Sequence, residues 1–294
     1  MKINGVIPPL ITPFKAEGGV DYDAFTYNLD KWSRTDIYGM LVLGSNGETA
    51  YLNEEEKIEL TRLTLEHANG KLVMVGSGME TPRDTIALTN KLAALGAHCA
   101  LLLPPNYYAG AMSDKVLIEF FTTVANNTSI PILLYNVPKY THVTISPAVV
   151  RTLCSHPNII GMKDSTGNIP GFASFMRACK GTEFSMIVGT ASALYPALCL
   201  GADGGILALA NCNPDECVEM YELFMEGRRE QCLELYQRMF PVNACVTGDL
   251  GVAALKTACD LQGFRGGCVS RPLMDLNEAE KDSVRKILVD ANLL

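Results

Sequence analysis

Short apolar segments rich in β-branched residues recur along the first two thirds of the chain, and amphipathic stretches separate nearly all of them. This alternation predicts eight strands, at residues 5–12, 39–43, 72–76, 97–103, 131–135, 159–162, 184–189 and 204–207. Most strands start about 25 to 35 residues after the previous one, which is the size of a βαβ unit with a right-handed crossover. The pattern therefore predicts consecutive parallel strands.

Eight such units predict an α/β protein built as a closed (β/α)₈ TIM barrel. An open doubly wound sheet is the alternative architecture, but eight evenly spaced strands fit it less well than they fit a closed barrel. After residue 210 the strand pattern stops, and helices are predicted at residues 214–225, 228–239, 251–261 and 277–291. We expect a barrel over residues 1–210 that carries the active site, and a C-terminal helical extension over residues 211–294 that packs on the barrel.

Composition narrows the possible partners. The 294 residues are 48% apolar and 19% charged, which is typical of a globular protein with a large core. A net charge of −8 without runs of Lys or Arg argues against nucleic acid as a partner. No apolar stretch approaches the roughly 20 residues of a membrane span, and the N-terminus lacks a secretory signal. We expect a cytoplasmic protein with no nucleic acid and no membrane among its partners.

Metal and cofactor chemistry find little support in the sequence. The ten cysteines include no Cys-x-x-Cys pair, and no two of the four histidines stand at ligand spacing. The segment Gly76-Ser77-Gly78 opens like a dinucleotide loop, but Thr81 replaces the third glycine of that motif. We therefore expect no metal and no cofactor.

In a parallel barrel the reactive residues lie at the carboxyl ends of the strands. Strand six ends in Lys163, a candidate Schiff-base nucleophile in the barrel mouth, or alternatively a partner of Asp164 in a structural ion pair. Strand five ends in Tyr135, whose hydroxyl could transfer protons in the same mouth or simply cap a layer of the barrel. Strand two ends in the turn 44–49, which could present backbone N–H groups and hydroxyls to an anion or serve as a plain glycine turn.

Taken together, these motifs resemble the class I pyruvate-dependent aldolases of the dihydrodipicolinate synthase and N-acetylneuraminate lyase superfamily. The resemblance covers essentially the whole chain. It is carried by residues 5–14, 44–48, 135–138 and 161–167, by the Gly204-Gly205 strand and by the helical tail.

The resemblance implies a role for each matching residue. Lys163 forms an imine with the ketone carbon of pyruvate, and Tyr135 is the proton-transferring acid and base. Ser45 links that tyrosine to a second one, which Tyr108 of a neighbouring subunit resembles. Asn46 stands where the family more often has threonine, and it is implied to hold the pyruvate carboxylate together with Ser45.

The remaining implications concern the pocket wall and the assembly. Gly189 and the backbone of Ile206 match positions that line the imine pocket. The partners implied are small molecules, pyruvate and an aldehyde, and the assembly implied is a homotetramer formed as a dimer of dimers.

One departure bears on the aldehyde. Dihydrodipicolinate synthases carry an arginine two residues after the Tyr-Asn-Val-Pro segment, where it meets a second carboxylate, and here Tyr140 occupies that position after Lys139. Residues 107–110, 156–165 and 241–246, and Leu273, look more like the 4-hydroxy-2-oxoglutarate aldolase branch. We therefore expect a Schiff-base lyase that yields pyruvate and an aldehyde, preferably glyoxylate.

Three alternatives remain open at this point. The first is 4-hydroxy-tetrahydrodipicolinate synthase, which condenses pyruvate with aspartate semialdehyde. The second is a sugar-acid or N-acetylneuraminate-type lyase, because acceptor-side residues vary within one fold. The third, from a different class, is a pyruvate-binding sensor without catalytic activity.

Overall fold

The eight predicted strands form one parallel sheet that closes on itself. The computed structural model describes all residues from Met1 to Leu294. The hydrogen-bonded order is β1-β8-β7-β6-β5-β4-β3-β2, and every pairing is parallel. The strands are β1 Gly5–Ile7, β2 Gly39–Val42, β3 Leu72–Gly76, β4 Cys99–Leu102, β5 Ile132–Asn136, β6 Ile159–Asp164, β7 Ser185–Val188 and β8 Gly204–Ile206.

The seam between β1 and β2 closes the barrel through irregular backbone pairing. Pro9 and Leu41 form an isolated parallel bridge, and Leu10 N donates to Leu41 O at 2.8 Å. The predicted first strand ends early, at Ile7, because Pro8 and Pro9 have no N–H to continue a ladder. The prediction of a TIM barrel of the α/β class is confirmed.

Twelve α-helices surround and extend the barrel. The first eight are α1 Tyr22–Trp32, α2 Glu54–His67, α3 Pro82–Leu95, α4 Asp114–Asn127, α5 Pro138–Thr141, α6 Pro147–Leu153, α7 Ile169–Ala178 and α8 Leu194–Cys199. The extension contains α9 Pro214–Met225, α10 Arg229–Asn243, α11 Gly251–Leu261 and α12 Glu278–Asp290. None of them combines the length and the hydrophobicity that a bilayer span requires.

Local sequence signals explain where several helices begin. The side chain of Asn53 accepts from Glu56 N at 2.9 Å, and Glu56 in turn accepts from Asn53 N, so a capping box opens α2. At the start of α3 the side chain of Thr81 accepts from Asp84 N, and Pro82 stands in the first turn, where a missing N–H costs no hydrogen bond. These signals fix the lengths of the connections that bring the strand ends together.

Side chains alternate along each strand between the barrel interior and the surrounding helices. A cluster of eleven buried residues fills the interior: Ile3, Ile7, Leu41, Met74, Cys99, Leu101, Leu133, Tyr135, Val137, Ile187 and Ile206. A larger cluster of 72 buried residues lies between the sheet and the helices and includes residues of α9 to α12. The extension therefore shares one continuous core with the barrel.

The extension contains one irregular segment. The sequence predicts the second extension helix to end at residue 239, but α10 continues through Pro241 to Asn243. It then runs into a π-helical turn, Ala244–Asp249. Proline removes a backbone donor inside a helix, and π-helical turns are frequent at functional sites.

Candidate active site

The carboxyl ends of the strands surround a cavity of about 270 Å³. Six residues singled out from the sequence line it: Ser45, Asn46, Tyr135, Tyr140, Lys163 and Gly189. No acidic side chain lines this cavity, while two lysines, Lys139 and Lys163, do. In a chain with a net charge of −8, this is a locally positive pocket suited to anionic ligands.

Side chains along β6 point alternately into the barrel and towards the helices, and Lys163 is one of those that point into the barrel. Its side chain is buried, and it forms no ion pair with Asp164. The next residue, Asp164, accepts instead from Asn136 Nδ2 and from Thr166 Oγ1, each at 2.7 Å. The structural ion pair considered from the sequence is therefore absent, and the amine remains available to the cavity.

Burial raises the pKa of Asp164, and its hydrogen bonds oppose that effect only in part. Asn136 and Asp164 are register partners at the ends of β5 and β6. Asn136 Oδ1 also accepts from Ile145 N at 3.0 Å, which fixes the segment after α5. This buried network holds the two strands in the register that sets the catalytic side chains.

Tyr135 stands beside Lys163 on the neighbouring strand. The lysine Nζ lies 4.3 Å from the centroid of the tyrosine ring. Burial acts to raise the pKa of Tyr135, but the nearby charge of Lys163 and the polar groups of Ser45, Ser165 and Lys163 around the phenol outweigh it, so the pKa lies below its ordinary value. The phenol is thus prepared to give up and regain a proton next to the amine.

Gly189 makes room for a hydroxyl at the base of the cavity. A Cβ at this position would collide with Ser165 Oγ. Ser165 Oγ is itself buried and completes no well-formed hydrogen bond, although it lies close enough to Tyr135 to favour its ionised form. Gly189 N donates to Asp164 O at 2.7 Å, so β7 also anchors the end of β6.

The turn after β2 has a left-handed residue on each side. Leu43 has φ of +63° and Glu48 has φ of +54°, which is unfavourable for residues with a side chain. Between them, Ser45 and Asn46 form one turn of 3₁₀ helix, and Gly47 N donates to Gly44 O at 3.0 Å. The turn presents Ser45 and Asn46 to the cavity.

The cavity contains polar residues that the sequence reasoning missed. Thr166 and Thr190 follow β6 and β7 directly, so the strand-end rule could have found them. Asn243 and Thr247 come from α10 and the π-helical turn, and Asn243 Nδ2 donates to Thr190 Oγ1 at 3.1 Å. No local sequence signal places a residue of the extension at the barrel mouth.

Two predicted residues lie outside this cavity. Ile206 is fully buried at the end of β8, where Ala208 lines the cavity instead. Tyr108 is 73% exposed on the loop after β4 and packs edge-on against Tyr107 at 5.0 Å between ring centroids. The carboxylate of Glu80 holds this loop by accepting from the backbone N–H groups of residues 106 and 107.

A second, largely apolar cavity of about 490 Å³ adjoins the first one and shares Ser45, Asn46 and Tyr140 with it. It opens between the turn after β2 and the extension, and Leu273 and Met274 form part of its wall. No three His, Cys, Asp or Glu side chains come together as a possible metal site.

Comparison with known proteins identifies the family. The family model described as the dihydrodipicolinate synthetase family matches residues 2–291. The chain belongs to this family. It is therefore a class I pyruvate-dependent carbon–carbon lyase, and its substrates are pyruvate and an aldehyde.

Relatives of this family match over almost the full length. A protein of Archaeoglobus fulgidus named 4-hydroxy-tetrahydrodipicolinate synthase is 33% identical over 99% of both chains. A protein of Methanothrix thermoacetophila with the same name is 32% identical over 97% of this chain and 96% of its own. These names correspond to the alternative considered from the sequence. They leave the preferred reading, a 4-hydroxy-2-oxoglutarate aldolase, without support.

Solved structures of the family agree closely in fold. The chloride-inhibited dihydrodipicolinate synthase from Acinetobacter baumannii complexed with pyruvate superposes with a TM-score of 0.94 at 27% identity, covering 99% and 100% of the two chains. YagE from Escherichia coli K12, a prophage protein of the dihydrodipicolinic acid synthase family in complex with pyruvate, gives 0.93 at 29% identity, with 99% coverage of each chain.

Proposed function

We propose that this chain is a 4-hydroxy-tetrahydrodipicolinate synthase that condenses pyruvate, bound as an imine to Lys163, with aspartate semialdehyde. The observation that carries the chemistry is the position of Lys163 Nζ, 4.3 Å from the Tyr135 ring centroid in a cavity without acidic side chains. The choice of aldehyde rests on full-length relatives that carry this name.

The reaction begins when the amine of Lys163 attacks the ketone carbon of pyruvate, and loss of water leaves an imine. The protonated imine withdraws electrons from C3, so a C3 proton is lost and an enamine forms. The enamine carbon then attacks the aldehyde, whose oxygen takes up a proton, and forms the new carbon–carbon bond. The amino group of the added semialdehyde finally attacks the imine carbon and displaces the amine of Lys163, which closes the ring and frees the enzyme. Holding both reactants in one cavity replaces a bimolecular encounter by an intramolecular step.

Tyr135 transfers protons during these steps. Its lowered pKa makes the phenolate accessible, and the same group returns the proton as a phenol. Ser45 lies close enough to the phenol to favour its ionised form, and it belongs to the turn after β2. Ser45 and Asn46, both on that turn, are placed to hold the pyruvate carboxylate near Lys163.

The acceptor side of the cavity carries one further positive charge. Lys139 lines the cavity, and its Nζ lies 5.8 Å from the ring centroid of Tyr140 and forms no ion pair. The arginine expected of a synthase is absent at Tyr140, but Lys139 supplies a cation one residue earlier. A carboxylate on the aldehyde would complement this charge.

Glyoxylate also carries a carboxylate, so a 4-hydroxy-2-oxoglutarate-type aldolase is the second candidate. The observation that favours it is Tyr140 at the position of the synthase arginine. A lysine ammonium is a point charge, whereas an arginine guanidinium can make two parallel hydrogen bonds to one carboxylate. The point charge of Lys139 suits the smaller glyoxylate anion as well as it suits aspartate semialdehyde.

The proposal includes an oligomer. Tyr108 and Tyr107 are 73% and 79% exposed on one loop, more than any other tyrosine of the chain. We place Tyr108 in the active site of a neighbouring copy, where it would meet Ser45 and Tyr135, within a dimer-of-dimers homotetramer. Activity should then fall on dilution together with the molar mass measured by light scattering.

An acceptor screen tests the proposed function. Purified protein is supplied with pyruvate and, separately, aspartate semialdehyde, glyoxylate and a polyhydroxy aldehyde, and kcat/KM is compared. The proposal expects the highest value with aspartate semialdehyde. A higher value with glyoxylate establishes the second candidate, and a higher value with the polyhydroxy aldehyde establishes a sugar-acid lyase. Pyruvate binding without any turnover indicates a sensor.

A further inference from the structure

One buried ion pair lies next to the substrate turn, outside the catalytic cavity. Glu48 Oε1 and Lys256 Nζ are 2.5 Å apart, and both side chains are 2% exposed. In every other ion pair of the chain, at least one side chain is 43% exposed or more. The pair takes no part in the reaction described above, so its presence in the core needs another explanation.

The pair joins three segments that are distant in the sequence. Glu48 ends the turn that carries Ser45 and Asn46, and its own N–H donates to Ser45 O at 3.1 Å. Lys256 belongs to α11 and donates to Cys268 O at 2.6 Å. The second carboxylate oxygen of Glu48 accepts from Ser270 N at 2.8 Å. The turn is thus tied through one carboxylate to the extension.

The turn itself needs such a tie. Its two flanking residues, Leu43 and Glu48, hold left-handed backbone conformations that persist only where surrounding contacts enforce them. Gly47 packs closely against the segment after β1, because a Cβ there would lie 2.9 Å from Leu10 O, so the turn has no room for a side chain at this position. The backbone of Glu48 bonds only within the local turn, to Ser45 O and Tyr51 N, whereas its carboxylate supplies the contacts to the extension.

Stability alone does not account for the pair. Burial raises the pKa of Glu48 and lowers that of Lys256, so desolvation opposes both charges. Apolar residues of similar volume often replace a buried ion pair without loss of stability, whereas removing one partner leaves an uncompensated charge. What an apolar replacement cannot reproduce is the directed hydrogen bond from Ser270 N that fixes where Glu48 lies.

We infer that Glu48 and Lys256 form a positioning pair, which holds the turn after β2 so that Ser45 and Asn46 meet the carboxylate of pyruvate. This inference rests on the proposed function. The pair touches no reacting atom: it acts through the backbone of residues 45–48. Its loss weakens capture of pyruvate and leaves the chemistry of Lys163 in place.

The test compares Glu48→Met, Lys256→Met and the double variant Glu48→Met/Lys256→Met with the wild type, because methionine cannot accept the hydrogen bond from Ser270 N. The readout is the pyruvate concentration that gives half-maximal borohydride trapping, together with the maximal trapped fraction and the melting temperature. Glu54→Met/Lys91→Met, which removes an exposed pair between α2 and α3, is the matched control. It should leave all three quantities unchanged.

We expect the two single variants to melt at lower temperature and the double variant to recover most of that loss. In all three, the half-saturating pyruvate concentration should rise roughly tenfold, which corresponds to about 1.4 kcal/mol, at an unchanged maximal fraction. A double variant that regains both stability and the half-saturating concentration of the wild type overturns the inference, because the pair is then only structural.

Two further results keep the test decisive. If the single and double variants fail to fold, Glu48→Asp retains the charge and tolerates the left-handed backbone. This variant should fold and still raise the half-saturating pyruvate concentration. If its half-saturating concentration equals that of the wild type, the inference is contradicted. Wild-type protein that traps no pyruvate contradicts the proposed function instead.

Discussion

Tyr135 and Lys163 are register partners on adjacent parallel strands, and the lysine Nζ lies 4.3 Å from the centroid of the tyrosine ring. Side chains of register partners on neighbouring strands point to the same face of a sheet. The distance between Lys163, the proposed nucleophile, and Tyr135, the proposed proton carrier, is therefore set by the pairing of β5 with β6 rather than by a loop. A site built on strands holds its geometry more rigidly than one built on loops.

Replacing Tyr135 by phenylalanine removes the hydroxyl and keeps the ring over Lys163. Because the phenol carries the protons of the reaction, kcat should fall by about 10² to 10⁴, the usual contribution of general acid–base catalysis. Imine formation should remain detectable by borohydride trapping, at a lower rate. Tyr38→Phe, just before the start of β2 and so at the opposite end of the barrel from the cavity, is the control. A Tyr135→Phe enzyme with the kcat of the wild type contradicts the assigned role.

The lowered pKa of Tyr135 gives a pH-dependent difference in stability between the wild type and Tyr135→Phe. In the unfolded chain the phenol ionises near pH 10, while in the folded chain it ionises at lower pH. The extra stability of the wild type is therefore fully present above about pH 10 and is lost as the pH falls through the folded pKa. Chemical denaturation of both proteins across this range measures it.

Ser45→Ala removes a hydroxyl whose proximity favours the ionised phenol, so it should raise the pKa of Tyr135. Difference absorbance titrations, each made against the corresponding Tyr135→Phe protein, isolate the ionisation of this one tyrosine. A shift to lower pH in Ser45→Ala, or none at all, shows that Ser45 does not stabilise the phenolate.

Asp164→Ala should destabilise the fold, although it changes no residue that is proposed to contact the substrate. The change leaves Asn136 Nδ2 buried without its acceptor, which costs about 1–3 kcal/mol of unfolding free energy. Urea unfolding of the variant measures the loss. The control Asp36→Ala removes an exposed carboxylate and should stay within about 0.5 kcal/mol of the wild type. Equal stability of the two variants would show that the network does not hold the strand ends.

Lys139→Met should weaken binding of the aldehyde acceptor and leave binding of pyruvate unaffected. If the ammonium pairs with the carboxylate of the aldehyde, KM for aspartate semialdehyde rises by roughly tenfold, the equivalent of about 1.4 kcal/mol. Lys115→Met, on the exposed face of α4, is the control. An unchanged KM for the aldehyde, or an equal rise in KM for pyruvate, excludes Lys139 as the acceptor's partner.

An increase in activity for Tyr140→Arg would support a diverged synthase.

The barrel could be predicted because its eight strands are short apolar runs at regular spacing. Lys163, Tyr135 and Ser45 could be placed in one cavity for the same reason, since each follows or ends a strand whose carboxyl end opens on the mouth. The strand boundaries differ where proline ends a ladder, as after Ile7.

The rest of the site depends on tertiary packing that local sequence does not encode. Asn243 and Thr247 reach the cavity because α10 continues past Pro241 and docks against the loop after β7, where Asn243 meets Thr190. Glu48 and Lys256 are ordinary charged residues in the sequence, and only the fold brings them together in the core. In the proposed tetramer, the role of Tyr108 depends on a second copy of the chain, which a single sequence does not describe.

The central claim is that Lys163 forms the imine, and one measurement tests it most directly. The protein is incubated with pyruvate, reduced with borohydride, digested and mapped by mass spectrometry. The account predicts one reduced pyruvate adduct per chain, located on Lys163, with loss of activity in proportion to its formation and no adduct in Lys163→Met. An adduct on Lys139 or Lys256 instead, or an active enzyme that is never trapped, would contradict it.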